Sequence, residues 1–287
     1  MPAEPQQNAY FIDAESAAEM GRLIRLDEIA TEGMGGLFPD HPDLSSVQSA
    51  LDVACGPGGW ASELAYQYPG MQVVGIDISQ TMVRYAEELA RVQRLDNVRF
   101  LNMDATQPLD FPDNSFDLVN ARALFGFMRK QQWPQVVREF VRVCKPGGIV
   151  RLSEPENTGM TNSPALEKLN RLFMRALFVN GQSFAPLPES QYLCLTSMLE
   201  TFLREAGCQD IHEEAYVINF SAGAKANWSF TENHKVAYKL LQPFMIKAGV
   251  ATQEELDTLY EQMLAEMLAD NFRGLGYGLS VWGKKPV

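Results

Sequence analysis

Asp52-Val53-Ala54-Cys55-Gly56-Pro57-Gly58 sets a lone carboxylate four residues ahead of a glycine loop. Before it, Ser49-Ala50-Leu51 opens a short apolar run, and after it Trp60 to Tyr68 has helical character. The segment therefore reads as strand, tight loop and helix. Glycines at positions 56 and 58 let the backbone bend sharply and admit a ligand at the start of the helix. A ligand of nucleotide type is expected at the carboxyl end of this first strand.

The same stretch also fits the dinucleotide fingerprint: Gly56-Pro57-Gly58-Gly59-Trp60-Ala61 matches G-x-G-x-x-A, and Asp77 follows at about the spacing of a ribose-binding acid. Charge separates the two ligand classes. A dinucleotide would place a pyrophosphate on the loop, where the Asp52 carboxylate repels it, and no Lys or Arg lies between Leu51 and Arg84 to compensate. S-adenosylmethionine carries no phosphate; it brings an ammonium and a sulfonium, to which an acid beside the loop is attractive.

A chain of 287 residues with 46% hydrophobic residues can bury a large core, enough for one α/β domain of about 200 residues with a helical elaboration. The formal charge of −12 opposes binding to a phosphate backbone, so nucleic acid is not expected as a partner. Arg129-Lys130 and Lys284-Lys285 read as solvated faces. Cys55, Cys144, Cys194 and Cys208 have no C-x-x-C spacing and sit among apolar neighbours, as reduced cytoplasmic thiols do. Met1 to Gln7 lack the features of a secretion signal, and no apolar run is long enough to span a membrane. The expectation is a soluble cytoplasmic protein, monomeric or homodimeric, with no membrane partner.

From Leu51 to Ser153 strands and helices alternate, which implies right-handed crossovers and a parallel sheet. Further strands are expected at Gln72–Ile76, Val98–Asn102, Phe116–Asn120 and Ile149–Ser153, with a helix over Gln80–Val92 capped by Ser79. Trp133, Val136, Val137, Phe140, Val141 and Cys144 recur at helical spacing, and Lys145-Pro146-Gly147-Gly148 ends that helix. Ser163-Pro164 opens a helix to about Val179, a second runs from Leu195 to Ala206, and Ile211–Phe220 and Tyr277–Gly283 are strands. Thr252-Gln253-Glu254-Glu255 is a capping box for a long helix.

Three segments fall outside the alternating pattern: Tyr10 to Pro39, Thr158 to Tyr192 and Gly223 to Phe272. The expected fold is α/β, a doubly wound Rossmann-like sheet of seven mostly parallel strands with a helical lid. Residues 1–47 form an N-terminal cap, residues 48–157, 194–222 and 273–287 the ligand-binding core, and residues 158–193 and 223–272 the lid insertions. The alternative is a helical bundle packed elsewhere, as a dimer face.

Five blocks carry a resemblance: Leu51 to Gly59; Val74-Gly75-Ile76-Asp77-Ile78-Ser79; Asn102-Met103-Asp104-Ala105; Phe116-Asp117-Leu118-Val119; and Arg142 to Gly148. In order and spacing, over about a hundred residues, they resemble the class I S-adenosylmethionine-dependent methyltransferases, within them the ubiquinone/menaquinone C-methyltransferase-like group. The resemblance implies a seven-stranded sheet whose last strand is antiparallel, and S-adenosyl-L-methionine as cofactor. It implies that Ala54, Gly56 and Gly58 contact the methionine part near Asp52, that Asp77 accepts the ribose hydroxyls, and that Ile78 and Met82 lie against the cofactor. Asp104 and Ala105 would read the adenine edge, with Asn120 and Arg122 near the methionine end. Ala54 departs from the commoner glycine.

A sulfonium is already an activated methyl donor, so alignment and water exclusion are the main tasks and no triad is expected. Catalytic candidates are Glu154, with Glu156, just past the fifth strand; Arg122 as a carboxylate clamp; His234 in the lid; and Tyr10 before the first helix. His41 lies between loop prolines and His212 on an outer strand face. Phe11, Phe173, Phe178, Phe184, Tyr192, Trp228, Phe230, Tyr238 and Phe244 crowd the candidate lid and favour a small apolar or aromatic acceptor. No N-P-P-Y-like tetrapeptide and no Pro-Cys nucleophile points to a nucleic-acid base. A protein that binds the cofactor without transferring methyl groups, and an NAD-type oxidoreductase, stay open as alternatives.

Overall fold

The computed structural model describes residues 10–38 and 44–287; His41 and the Met1–Gln7 segment lie outside the described residues. The sheet is built on β1 (Ser49–Val53), β2 (Gln72–Asp77), β3 (Val98–Asn102), β4 (Phe116–Arg122), β5 (Cys144–Pro155), β6 (Met160–Thr161), β7 (Gln209–Asn219) and β8 (Gly274–Lys284). The spatial order is β3-β2-β1-β4-β5-β8, with β7 on the far side of β8 and the two-residue β6 continuing the β5 side. Pairs from β3 to β5 are parallel, while β8 runs antiparallel to both β5 and β7. Among the described residues there are seven long strands, the last one antiparallel, and β6 is an eighth that its short sequence does not advertise.

The inner parallel strands β1, β2 and β4 are buried on both faces, which is why these segments read as nearly continuous apolar runs, whereas the edge strand β3 is only partly buried. Ala50, Val73 and Leu118 pack with Trp60 and Leu64 of α2 (Gly59–Gln67) and Val83 and Ala86 of α3 (Gln80–Gln93). Leu51, Val74, Val119 and Val150 point the other way, onto Trp133, Val137 and Phe140 of α4 (Trp133–Val143). β5 starts at Cys144, so the Lys145–Gly148 stretch is strand and not only a helix stop. The order reverses between β1 and β4, and an open α/β sheet has its ligand crevice outside the strand ends at such a point.

Helices outside the alternating pattern are α1 (Ala17–Gly33), α5 (Pro164–Val179), α7 (Asn227–Lys247) and α8 (Gln253–Met267); α6 (Leu199–Glu205) belongs to the core. α1 packs on α7, α5 on α7 and α8, and α7 on α8, making one helical layer. Their starts are set by side chains: Ser16, Ser163 and Thr252 each accept from the backbone N–H three residues on. The helix expected over Leu195–Ala206 is shorter, a 3₁₀ turn at Thr196–Met198 followed by α6.

Candidate active site

A cavity of about 760 Å³ opens between the carboxyl ends of β1, β2 and β4 and the helical layer. Its walls come from both: Asp52, Ala54, Gly56, Asp77, Ile78, Met82, Asp104, Ala105 and Arg122 from the core, Tyr10 and His234 from the cover. One end is acidic and the other aromatic.

The acidic end is organised by the strand register. Asp52, Asn120 and Arg151 sit side by side on β1, β4 and β5. Asn120 Nδ2 donates to Asp52 Oδ1 at 2.8 Å, and Arg151 Nη1 donates to Asn120 Oδ1 at 3.0 Å. Asn120, expected beside the cofactor, is fully buried behind Asp52 and does not itself line the cavity. Burial pushes the Asp52 carboxyl up to about 7, against the pull of Arg122 and the Asn120 amide. The loss of water outweighs the Arg122 charge, so a further cation beside this acid would be favoured.

Gly56, at φ 54°, donates its N–H to Asp77 Oδ2 at 2.8 Å, and Ser79 N–H donates to Oδ1 at 2.9 Å. Loss of water pushes the Asp77 carboxyl up, and each oxygen keeps a further lone pair for a ligand donor. Ala54 stands at φ 55°, the left-handed region that favours glycine, so the methyl fits in space but strains the backbone. Gly58 does not line the cavity. A Cβ there would come within 2.7 Å of Ala86 Cβ and the Phe100 ring, so its glycine is required by packing of the loop on α3 and β3. Asp104 Oδ1 accepts from both the N–H and the Oγ1 of Thr106 at 2.8 Å, shaping the turn while the residue still lines the cavity.

Three catalytic candidates already hold partners within the protein. Glu154 lies inside β5, fully buried and away from the cavity, where its carboxylate accepts from Leu124 N–H at 2.7 Å and Phe125 N–H at 3.2 Å. Burial drives it up to about 8. It anchors the 3₁₀ turn Leu124–Gly126, and that turn is what reaches the cavity, through Phe125 and Gly126. Glu156 likewise holds Cys194 N–H, Thr196 N–H and the Thr196 hydroxyl. His234 does line the cavity, but its Nδ1 lies 2.8 Å from the Phe230 carbonyl and its Nε2 3.2 Å from that of Thr158. Burial holds the imidazole below its ordinary pKa, so the ring is neutral: one nitrogen donates to a carbonyl and the lone pair of the other faces the second carbonyl.

Arg122 and Tyr10 are engaged with α1. Arg122 forms an ion pair with Asp27, donates to Thr31 Oγ1 at 3.1 Å and stands 6.0 Å from the centre of the Trp60 ring. Tyr10 donates to Glu19 Oε1 at 2.6 Å, and burial raises its phenol well above the ordinary value. Arg22, Asp27, Phe125, Tyr216 and Tyr277 also line the cavity and were not expected there. For Arg22 and Asp27 the available signal was a charge among the apolar positions Leu23, Ile24 and Leu26. Of the aromatics counted toward the lid, Phe11, Phe173, Phe230 and Tyr238 line the cavity, whereas Trp228 and Tyr192 are exposed.

A methyltransferase-domain family profile matches residues 50–148. Demethylmenaquinone methyltransferase of Geobacillus kaustophilus (strain HTA426) is 32% identical over 187 residues, 60% of this chain and 76% of that relative. The demethylmenaquinone methyltransferase of Listeria monocytogenes serotype 4b (strain CLIP80459) is 33% identical over 185 residues, covering 62% of this chain and 75% of its own. The chain belongs to the class I S-adenosylmethionine-dependent methyltransferases of the quinone methyltransferase type. It is an S-adenosylmethionine-dependent enzyme, and the dinucleotide alternative falls with the family.

Solved structures share the fold of this methyltransferase. Haemonchus contortus phosphoethanolamine N-methyltransferase 2, in complex with S-adenosyl-L-methionine, superimposes with TM-score 0.52 at 21% identity over 89% of this chain and 52% of that one. This chain thus spans about half the length of that structure. The YcgJ protein from Bacillus subtilis gives TM-score 0.52 at 18% identity, over 95% of this chain and 100% of the other. The [4+2]-cyclase SpnF gives TM-score 0.50 at 20% identity over 96% and 97%, so the architecture by itself does not dictate a reaction. The acidic end fits the family's cofactor on its own terms: burial outweighs the Arg122 charge on Asp52, which favours a further cation, and the residues of the turn after it, Ala54 to Pro57, line the cavity. Among the described residues no cluster of acids, histidines and cysteines could hold a metal, and no helix is long and apolar enough to cross a membrane.

Proposed function

We propose that this methyltransferase acts on a small hydroxylated aromatic acceptor of the quinol type, enclosed beneath the helical layer formed by residues 10–38, 158–193 and 223–272. The observation that carries the reading is the continuity of one cavity from the Asp52–Asp77 end to a wall of Phe11, Phe173, Phe230 and Tyr238. The names of the relatives, which act on demethylmenaquinone, support the same substrate class.

Bound at the acidic end, S-adenosylmethionine supplies an activated methyl group on a sulfonium. In this proposal Asp52 takes the ammonium, Asp77 accepts the ribose hydroxyls, Ile78 and Met82 flank the adenine, and Asp104 with the Ala105 N–H reads its edge. Arg122 holds the carboxylate end in exchange for Asp27. The aromatic wall orients the acceptor ring and removes water from around the reacting centre. No side chain is assigned as general base: Glu154 is committed to the Leu124 and Phe125 amides and His234 faces two carbonyls.

The test is transfer of labelled methyl from S-adenosylmethionine to reduced 1,4-naphthoquinone, compared with its oxidised form. Labelled product from the reduced form alone is expected. Saturable S-adenosylmethionine binding with no product from any hydroxylated aromatic would overturn the substrate class.

A further inference from the structure

We propose that Arg22 of α1 and Asn233 of α7 form a subsite that reads an oxygen on the acceptor ring; the inference rests on the aromatic-acceptor reading above. Both residues line the cavity, next to its aromatic wall. Arg22 is only 8% exposed, a guanidinium set among apolar neighbours. Such a charge is costly to bury unless it is held and paired.

It is held. Arg22 Nε donates to Glu19 Oε2 at 2.7 Å and Nη2 to Oε1 at 2.6 Å, a two-point grip by a fully buried carboxylate that also accepts from the Tyr10 hydroxyl. Arg22 Nη1 donates to Asn233 Oδ1 at 3.0 Å. Since a guanidinium only donates, this contact fixes which way the Asn233 amide faces. Its Nδ2 takes part in no hydrogen bond among the described residues, which leaves a donor of fixed orientation on the cavity wall beside a positive charge.

A donor in that setting calls for an acceptor atom, best an oxygen with negative character, and an apolar ring alone would leave it unpaired. His234, the polar neighbour on the same helix, cannot substitute, because both of its nitrogens already face carbonyls. Position also fits. Arg22 precedes Asp27, the partner of Arg122, by five residues of helix, about 7.5 Å along the axis. The oxygen reader is thereby spaced away from the charges of the cofactor end, on the same helix that spans both.

The experiment compares binding of 1-naphthol and naphthalene, nearly the same shape with and without an oxygen, to the full chain saturated with S-adenosylhomocysteine. Wild type is expected to prefer 1-naphthol by about tenfold. Asn233→Ala removes the donor without adding an acceptor, and is expected to abolish the preference while naphthalene binds as before. Asn233→Leu should do the same, and is read instead if the first variant binds S-adenosylhomocysteine abnormally. General damage to the fold would weaken both probes alike. Equal affinity of wild type for the two probes, or a preference that survives both substitutions, overturns the inference. Uptake of neither probe by the S-adenosylhomocysteine complex overturns it together with the aromatic-acceptor reading, whereas selective failure of the oxygen preference leaves that reading standing.

Discussion

Asp52 is the residue at which burial and function meet. With its carboxyl pushed up to about 7 by burial, this acid holds on to its proton well above the ordinary carboxylate range in the ligand-free protein. An ammonium placed beside it lowers that value, so S-adenosylhomocysteine binding at pH 7 is expected to release protons. Calorimetry in buffers of different ionisation heat measures this, and Asp52→Asn should remove the release. Asp77→Ala should weaken cofactor binding by about 1.5–3 kcal/mol, the range for hydrogen bonds to a charged group, and an unchanged dissociation constant would contradict its assignment. At this scale the sequence was legible where chemistry is local: the acid, the glycines and Asp77 share one strand–loop–helix unit. It was not legible where a neighbour decides. Asn120 turns to Asp52 because Arg151 on the next strand takes its other end, and Gly58 answers to Ala86 and Phe100.

At the scale of elements, β5 shows how a boundary shifts a role. Read as ending at Ser153, the strand would leave Glu154 on a loop at the site; running to Pro155, it buries Glu154 as the clasp of the Leu124–Gly126 turn. Glu154→Gln would set an amide NH2 against one of two backbone donors, with an expected stability loss of about 1–3 kcal/mol in urea unfolding. Turnover of the folded fraction should be little changed, and a loss of kcat without loss of stability would restore Glu154 as a catalytic group. The opposite case is α1. Its Ser16 cap and helical span are local signals, but the facts that Arg22 and Asp27 point into the site come from packing on α7 and α2, which no periodicity encodes.

Across the whole molecule, acids that are buried without full compensation make the ligand-free state sensitive to pH. Asp52 has a folded value near 7 against 3.8 when exposed, and Glu154 near 8 against 4.5. Raised values mean that the folded state holds protons the unfolded state has lost, so this share of stability is present at low pH and falls as pH rises through 7 and 8. The cofactor's ammonium offsets the Asp52 part, and the rise in Tm on adding S-adenosylhomocysteine is expected to be larger at pH 8 than at pH 6. The helical layer should respond as one body: amide exchange in Ala17–Gly33 and Asn227–Lys247 is expected to slow on binding, through α1–α7 packing, with β1 unchanged.

The most direct measurement is a structure of the protein with S-adenosylhomocysteine bound. The ammonium should lie within hydrogen-bond distance of Asp52 and the ribose hydroxyls on Asp77, with the sulfur facing the compartment of Phe11, Phe173 and Phe230. A sulfur directed to open solvent, or a ribose held away from Asp77, would contradict the account.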